Sequence, residues 1–593
     1  MTSASASDRH GLTVATPWYP TAHQRMAGSF VAEQSRLAAG LDEIRRAGGT
    51  QVVHGEEWPA GSPHEAEQLR PGFDATLDAL RASGGMRVSG AAGPVHRVPV
   101  FTVAGDDWGR RGEALVRDVR RAVGGFDSPA VHGHVGYLGG LLAARLAETG
   151  ARVVATEHST ALRDVLAQPQ ARDHYAELVD RAESVFCVSE LVRRQVLERI
   201  EDPHGRVQVL ANPVDFAAAA RRTDAPEALH RWVFVGGLIE RKGVLRLARA
   251  FAIAARENPQ VGLTMYGTGP LEDQVVAIAR EAGVSDRLHI AGVLGHRELL
   301  AALPGHDVLF APSTYETFHL AVPEAVAAGV PVIVSRSGGP EEALAGVEDQ
   351  VGRFVDVEER PDQLIDAWRD LSDGIARLDL DAARSTLDAR YGLEAVRRRL
   401  AHAYGVSDAS TGDAAAEPVV ATAVQPAADA TPEPERIVLA ALSGWRRGHV
   451  EAELDAIHRL GATAQVITAD PTIASLATEP TAGGSGTVAV VAPVAVDPAR
   501  AEHFGVRVRR AASSAVGATR RSGVRAGLGA VRRELAGLRP VAAVELPDTA
   551  TLVVADCRSM PLVARLLATR PGLRPVVELD RVGRLAPPPD SEA

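Results

Sequence analysis

The segment VFVGGLIERKG (233–243) brings an unusual set of groups together. A β-rich run leads into Gly236 and Gly237, and after Lys242 and Gly243 a helical pattern begins at VLRLARAFAIAA (244–255). Backbone N–H groups, a helix N-terminus and one ammonium converge at the carboxyl end of a strand, which is the chemistry of an anion site suited to a diphosphate. Glycines in such a turn are common for geometry alone. Composition singles out the lysine: of 64 basic residues 63 are Arg, and Lys242 is the only Lys. Arginine serves wherever a solvated charge is wanted, but not where a compact ammonium on a flexible stem must fit a site.

A second constellation is APSTYETFHLAVPEAVAAGVPVIVS (311–335). DVLFAP reads as a strand, Ser313 to Val322 as a loop, Pro323 as a first helical position, and Glu324 as a first-turn residue before the strand VPVIVS. Glu316 and Glu324 thus meet at one strand-to-helix junction. Paired carboxylates there accept hydrogen bonds from vicinal hydroxyls, the signature of a sugar or a ribose. A first-turn acid is favoured by the helix dipole whatever its function, so Glu324 alone is ordinary, whereas Glu316 in the loop has no such reason. His132, His134 and His158 lie just past strand ends, where open α/β sheets place ligands, although any one of them is also an ordinary structural histidine.

These residues need strands and helices to hold them. The first 215 residues alternate short β-rich runs (LTVATPWYP, TQVVH, SPAVHGH, RVVATEH, SVFCVS, RVQVLANPVD) with helical patterns, and 216–405 repeats the alternation through WVFVGG, GLTMYGTG, RLHIAG, DVLFAPS and VPVIVS. Both read as doubly wound α/β domains. Residues 406–436 read as a disordered linker: from 407 to 435 there is no Leu, Ile or aromatic residue, and six acidic residues meet no basic one. IVLAAL, AQVITA, TLVVAD and PVVEL then predict a third, smaller α/β domain over 437–582. Within it, 500–539 holds ten Arg against Glu502 and Glu534. That balance suits a solvated helical face, or an anionic membrane surface or acidic partner.

A chain of 593 residues with 46% apolar and 23% charged residues is a core-forming protein of three or four domain-sized units. No run reaches the eighteen apolar residues of a membrane span, and MTSASASDRH lacks the regions of a signal peptide, so the cytoplasm is the expected compartment. Cys187 and Cys557 lie too far apart for a metal or redox motif. A net charge of −11 argues against nucleic acid as the main partner. Asp106–Asp107 and Asp379–Asp381 read as exposed charge rather than a metal site.

Taken with WYP and GSFVAEQ near the start, HGH (132–134), TEHST (156–160), CVSE (187–190), NPVD (212–215), YGTGP (266–270) and SGGPEE (337–342), the two glutamates with seven residues between them resemble the signature of family 4 retaining glycosyltransferases of the GT-B fold. The resemblance covers about residues 12–405 and leaves the linker and third domain unassigned. It implies two Rossmann-like domains facing across a cleft, 1–215 on the acceptor side and 216–405 binding a nucleotide-sugar, followed by the third domain after its linker. It further implies that Lys242 contacts the donor diphosphate, Glu316 the sugar hydroxyls and Glu324 the ribose. Gly236, Gly237, Gly267 and Gly269 would border the nucleotide, Phe318 and His319 would belong to the donor loop, Gly28 would lie at the first domain's edge of the donor site, and Gly338 to Pro340 would lie beside that loop. His134 would stand near the sugar. Two positions depart from the family: Gly237 stands where Arg is common, so one diphosphate contact is missing or is supplied by Arg241 or another residue, and His319 stands where Gly is usual.

What the resemblance implies is a retaining transferase acting without a metal or cofactor, with a nucleotide-sugar as substrate and a glycan, lipid-linked or small-molecule acceptor. The GSFVAEQ opening resembles members that build cell-surface polysaccharide. The chain would be cytoplasmic, and peripheral at the inner membrane face if the segment 500–539 binds there. Two other readings use the same fold: a nucleotide-sugar epimerase, disfavoured by the spaced glutamates and NPVD, and a non-catalytic nucleotide-sugar-binding or scaffolding protein.

Overall fold

The computed structural model describes residues 9–21, 24, 27–222, 228–407, 436–441, 447–459, 463–468, 487–491, 550–556, 558–570 and 572–577. Residues 408–435 of the linker, Cys557 and the arginine-rich segment 500–539 lie outside the described residues. The chain divides into two compact units, one of Met1–Glu57, Gly90–Val100 and Gly105–Glu417, the other of Trp58–Ser89, Phe101–Ala104 and the residues from Pro418 onward. Among the described residues no helix is long and apolar enough to cross a membrane.

An eight-stranded sheet is built from β1 (Leu12–Thr16), β2 (Thr50–Ala60), β3 (Arg87–Val88), β4 (Val95–Val103), β5 (Ala130–His134), β6 (Arg152–Glu157), β7 (Ser184–Cys187) and β8 (Val207–Val209), in the order β3-β4-β2-β1-β5-β6-β7-β8. β1 lies parallel between β2 and β5, so the strand order reverses beside the carboxyl end of β5, where His134 sits. The strand read as LTVATPWYP stops at Thr16, because Pro17 and Pro20 lack the N–H a ladder requires. TQVVH runs on to Ala60, and β4, which contains Pro99, was not anticipated from the pattern.

The second sheet of this unit contains β9 (Arg231–Val235), β10 (Gly262–Tyr266), β11 (Leu288–Gly292), β12 (Val308–Ala311), β13 (Val332–Ser335) and β14 (Gly352–Val355), ordered β11-β10-β9-β12-β13-β14. Alternate residues of β9 enter opposite cores, Trp232 and Phe234 with Phe251, Phe310 and Trp368 on one face, Val233 with Leu309, Val322 and Val334 on the other. A strand buried on both faces reads as a continuous apolar run, which is why β9, β12 and β13 are legible as WVFV, VLFA and VIV. The order reverses between β9 and β12, so the loops following them share the crevice where open α/β sheets bind ligands.

The other unit holds a parallel sheet of β15 (Arg436–Ala440), β16 (Thr463–Ile467), β17 (Thr487–Val491), β18 (Ala550–Val554) and β19 (Leu573–Val576), ordered β17-β16-β15-β18-β19. Grouped with it is the helix Pro63–Ser83, which the sequence places within 1–215. Phe73, Leu77 and Leu80 on that helix are fully buried. Thr76 Oγ1 donates to Met560 O (2.8 Å), Val577 N donates to Gly85 O (3.0 Å), and Arg558 Nε lies 2.6 Å from Glu65 Oε1. The apolar face of this helix finds its cover almost five hundred residues later, a relation that no local pattern records.

Candidate functional site

The loops after β9 and β10 are laced together, with Gly236 N donating to Tyr266 O (3.0 Å) and Leu238 N to Thr268 O (2.9 Å). Gly236, Gly237, Gly267 and Gly269 therefore share one ridge. A single helical turn, Glu240–Lys242, follows, and the chain then passes through Gly243 at φ +66°. A Cβ there would stand 2.1 Å from Pro312 O, so only glycine lets this loop press against the one after β12. The two loops are tied by Thr314 N donating to Arg241 O and Arg241 Nη1 donating to Tyr315 O, both at 2.8 Å.

Through this seam Lys242 Nζ comes 2.7 Å from Glu316 Oε1, with Arg241 Nη1 at 3.3 Å from the same oxygen. The Glu316 side chain is 6% exposed. Burial pushes its pKa up, but His319, Lys242 and Arg241 outweigh that and hold it down at about 2. His319 Nε2 stands 3.8 Å from Glu316 Oε1, buried and without a hydrogen-bond partner of its own. Burial first, then the Lys242 ammonium, lowers its pKa to about 4. His319 sits at φ +69°, the left-handed region that favours glycine, which gives the physical reason for the family's glycine at this place. Glu316 N donates to Ser337 O and Gly339 N to Glu316 O, each at 3.0 Å, so Gly338–Pro340 run beside the loop. The Phe318 ring turns inward, edge-on to Tyr391.

Glu324 is 4% exposed in the helix Ala321–Ala327. That helix starts two residues before the expected first position at Pro323, which the first turn tolerates because its N–H groups have no intrahelical acceptor. Glu324 has a partner that the sequence reading missed: His296 Nε2 lies 2.8 Å from its Oε1. The signal available was placement, since AGVLGHREL puts this histidine just after β11, at the same sheet end as the other loops.

On the first sheet, Gly28 caps the helix Ser29–Ala39 at φ +64°, pressed against the Trp18 carbonyl, and Phe30 stacks on His158 with centroids 4.3 Å apart. His134 Nδ1 is 3.1 Å from His158 Nε2, and the His132 ring lies 4.0 Å from that of His134. His132 is fully engaged, by Tyr404 Oη (2.7 Å) and Thr156 Oγ1 (2.8 Å), whereas His134 Nε2 is buried with no partner. Burial, then His132 and His158, depresses the His134 pKa, so the ring is neutral. Thr317 Oγ1 donates to His158 O at 3.4 Å, which ties this cluster to the Glu316 loop. Among the described residues no group of three or more His, Cys, Asp or Glu is arranged to hold a metal.

Residues 64–218 match the model for Glycosyltransferase Family 4, and residues 217–380 match that for Glycosyl transferases group 1. A glycogen synthase of Mycobacterium tuberculosis is 34% identical over 172 residues, 28% of this chain and 41% of that protein. An α-(1→4)-mannosyltransferase of Mycolicibacterium hassiacum is 34% identical over 139 residues, 22% of this chain and 33% of that one. The chain thus spans between a third and about two fifths of the length of these relatives. The solved sucrose-phosphate synthase of Thermosynechococcus elongatus superposes with a TM-score of 0.50 at 18% identity, covering 66% of this chain and 98% of that one, and shares its fold. The two family matches overlap at 217–218 and together run through 64–380, and over these residues the chain belongs to the glycosyltransferases of the GT-B fold.

Proposed function

We propose that this chain is a retaining glycosyltransferase that moves a sugar from a nucleoside-diphosphate-sugar to a glycan, lipid-linked or small-molecule acceptor. The observation that carries the reading is the meeting of Lys242 with Glu316, at the carboxyl ends of neighbouring strands, eight residues before the buried Glu324. The ammonium, with Arg241 beside it, suits the diphosphate; Glu316 suits the sugar hydroxyls and Glu324 the ribose diol. The relatives bear names that differ in sugar and product while sharing the transfer of a sugar, which supports the reaction class.

In this reading the bond from the anomeric carbon to the leaving phosphate oxygen breaks while the acceptor oxygen bonds to the same face of that carbon. The acceptor proton passes to the departing phosphate oxygen. Lys242 and the N–H groups around Gly236–Gly243 stabilise the charge that develops there. No carboxylate has to act as base, and no metal is required. His134, neutral and with Nε2 unpartnered, faces the sugar.

The test is consumption of UDP-, GDP- and ADP-sugars by the full chain. One base should support release of the nucleoside diphosphate, insensitive to EDTA and lost in Lys242→Ala and Glu316→Gln. Failure of every donor to turn over, with nucleotide binding retained, would favour the scaffolding reading instead.

A further inference from the structure

The carboxylate assigned above to the ribose is held by a residue from another element. Glu324 belongs to the helix Ala321–Ala327 after β12, while His296 opens the helix His296–Ala302 after β11. Its Nε2 lies 2.8 Å from Glu324 Oε1, and its side chain is one-third exposed while that of Glu324 is 6% exposed. A buried carboxylate on a short helix can point in more than one direction, and this contact fixes one. With Oε1 engaged, the second oxygen remains to accept from a ligand hydroxyl. Pairing with Glu324, opposed by burial and aided by Glu33 and Asp215, raises the His296 pKa, which strengthens the contact by favouring the charged ring.

We propose that His296 is a positioning residue of the nucleoside subsite, orienting Glu324 so that the site selects ribonucleoside over deoxyribonucleoside diphosphates. The proposal rests on the reading of Glu324 as the ribose contact. It adds to that reading a second residue and a selectivity: a site built to hydrogen-bond a hydroxyl leaves its own polar group unpaired when the hydroxyl is missing.

The experiment uses the full chain and whichever of UDP, GDP and ADP binds it most tightly. Dissociation constants are measured calorimetrically for that nucleotide, its 2′-deoxy and 3′-deoxy analogues, and inorganic pyrophosphate, in wild type, His296→Ala and His296→Gln. Wild type should prefer the ribonucleotide by about tenfold, a preference that His296→Ala reduces to about threefold or less without altering pyrophosphate affinity. His296→Gln, whose amide can still donate to the carboxylate, should recover part of it, and also serves if the alanine variant folds poorly. An unchanged preference in His296→Ala overturns the proposal, as does an equal loss for pyrophosphate, which would mark general distortion. If wild type itself binds nucleotide without preferring ribose, the Glu324 assignment falls and this proposal with it, whereas diphosphate binding through Lys242 would stand.

Discussion

Lys242 Nζ and Glu316 Oε1 lie 2.7 Å apart, and each belongs to a loop at the carboxyl end of one of two neighbouring parallel strands. The ammonium neutralises the carboxylate, so neither is buried as a lone charge. An incoming diphosphate would share that cation and leave Glu316 free to accept from sugar hydroxyls. A compact ammonium can serve two anions in turn, whereas a planar guanidinium fixed on one of them cannot do so equally.

Glu316→Gln and Glu324→Gln should therefore fail differently. Loss of the Glu324 charge should weaken the free nucleoside diphosphate as well as the donor. Loss of the Glu316 charge should leave nucleoside diphosphate affinity within about threefold while lowering turnover by at least about a hundredfold, the pattern of an interaction made at the reacting centre. Binding calorimetry beside donor turnover checks this, and equal losses of nucleoside diphosphate affinity would contradict it.

Gly237→Arg should fold normally and tighten nucleoside diphosphate binding. The nearest atom to a Cβ at this position is Thr268 O at 3.9 Å, an ordinary contact, so glycine is not enforced there by sterics. A second guanidinium beside the diphosphate should gain roughly 1 kcal/mol, about fivefold in affinity. A Tm lowered by several degrees, or weaker binding, would contradict this placement.

Acid should destabilise the unit that carries the site. His132, His134, His158 and His319 have pKa values depressed by burial, to about 3 for His132 and His158, about 4 for His319 and well below the ordinary value for His134. Each contributes stability that is present above the unfolded value of 6.5 and is lost as pH falls, because the unfolded chain binds a proton that the folded chain refuses. Glu157 acts the other way: burial raises it from 4.5 to about 7, so its contribution falls as pH rises through that window. His306, lowered to about 4, and His174, also lowered by burial, add to the first group, while His296, raised by Glu324, joins Glu157. The refused protons outnumber the retained ones, so the apparent Tm should drop as pH falls from 7 to 5. A flat or rising Tm would show these rings to be solvated.

A chain ending at Gly405 should leave the helix Pro63–Ser83 exposed. It loses the Met560 acceptor of Thr76, the Pro575 acceptor of Ser83 and the Arg558 partner of Glu65. Limited proteolysis should cut the truncated chain between 63 and 85 and spare the full chain. Equal protection in both would mean that the helix is held by the remaining residues of the first 405.

Strand-to-loop junctions were legible in the sequence because they are local: WVFV ends at Gly236 and VLFA ends before the loop that carries Glu316. The meeting of the two loops depends on strand order, which the sequence reading did not supply, while the single lysine marked which loop held the cation. His296 was missed because its partner lies 28 residues away on another helix. At 319 a glycine would have announced a left-handed backbone, and the histidine conceals it. Val135, at φ +62° after His134, carries no sequence mark of its conformation either. The grouping of Trp58–Ser89 with the C-terminal strands has no local signal of any kind, since the helix's own pattern reports only that it has an apolar face.

Because Lys242 is the only lysine, an amine-reactive reagent has two targets, the N-terminal amine and this side chain, which is 16% exposed. Mass-spectrometric labelling of Lys242 at mildly alkaline pH, with and without saturating UDP, GDP or ADP, therefore reads the occupancy of the site directly. One nucleoside diphosphate should slow labelling of Lys242 at least about tenfold while leaving the N-terminus unchanged, because a bound diphosphate favours the charged, unreactive form. Equal labelling of Lys242 with and without a nucleotide whose binding has been confirmed independently would contradict a diphosphate site at this lysine.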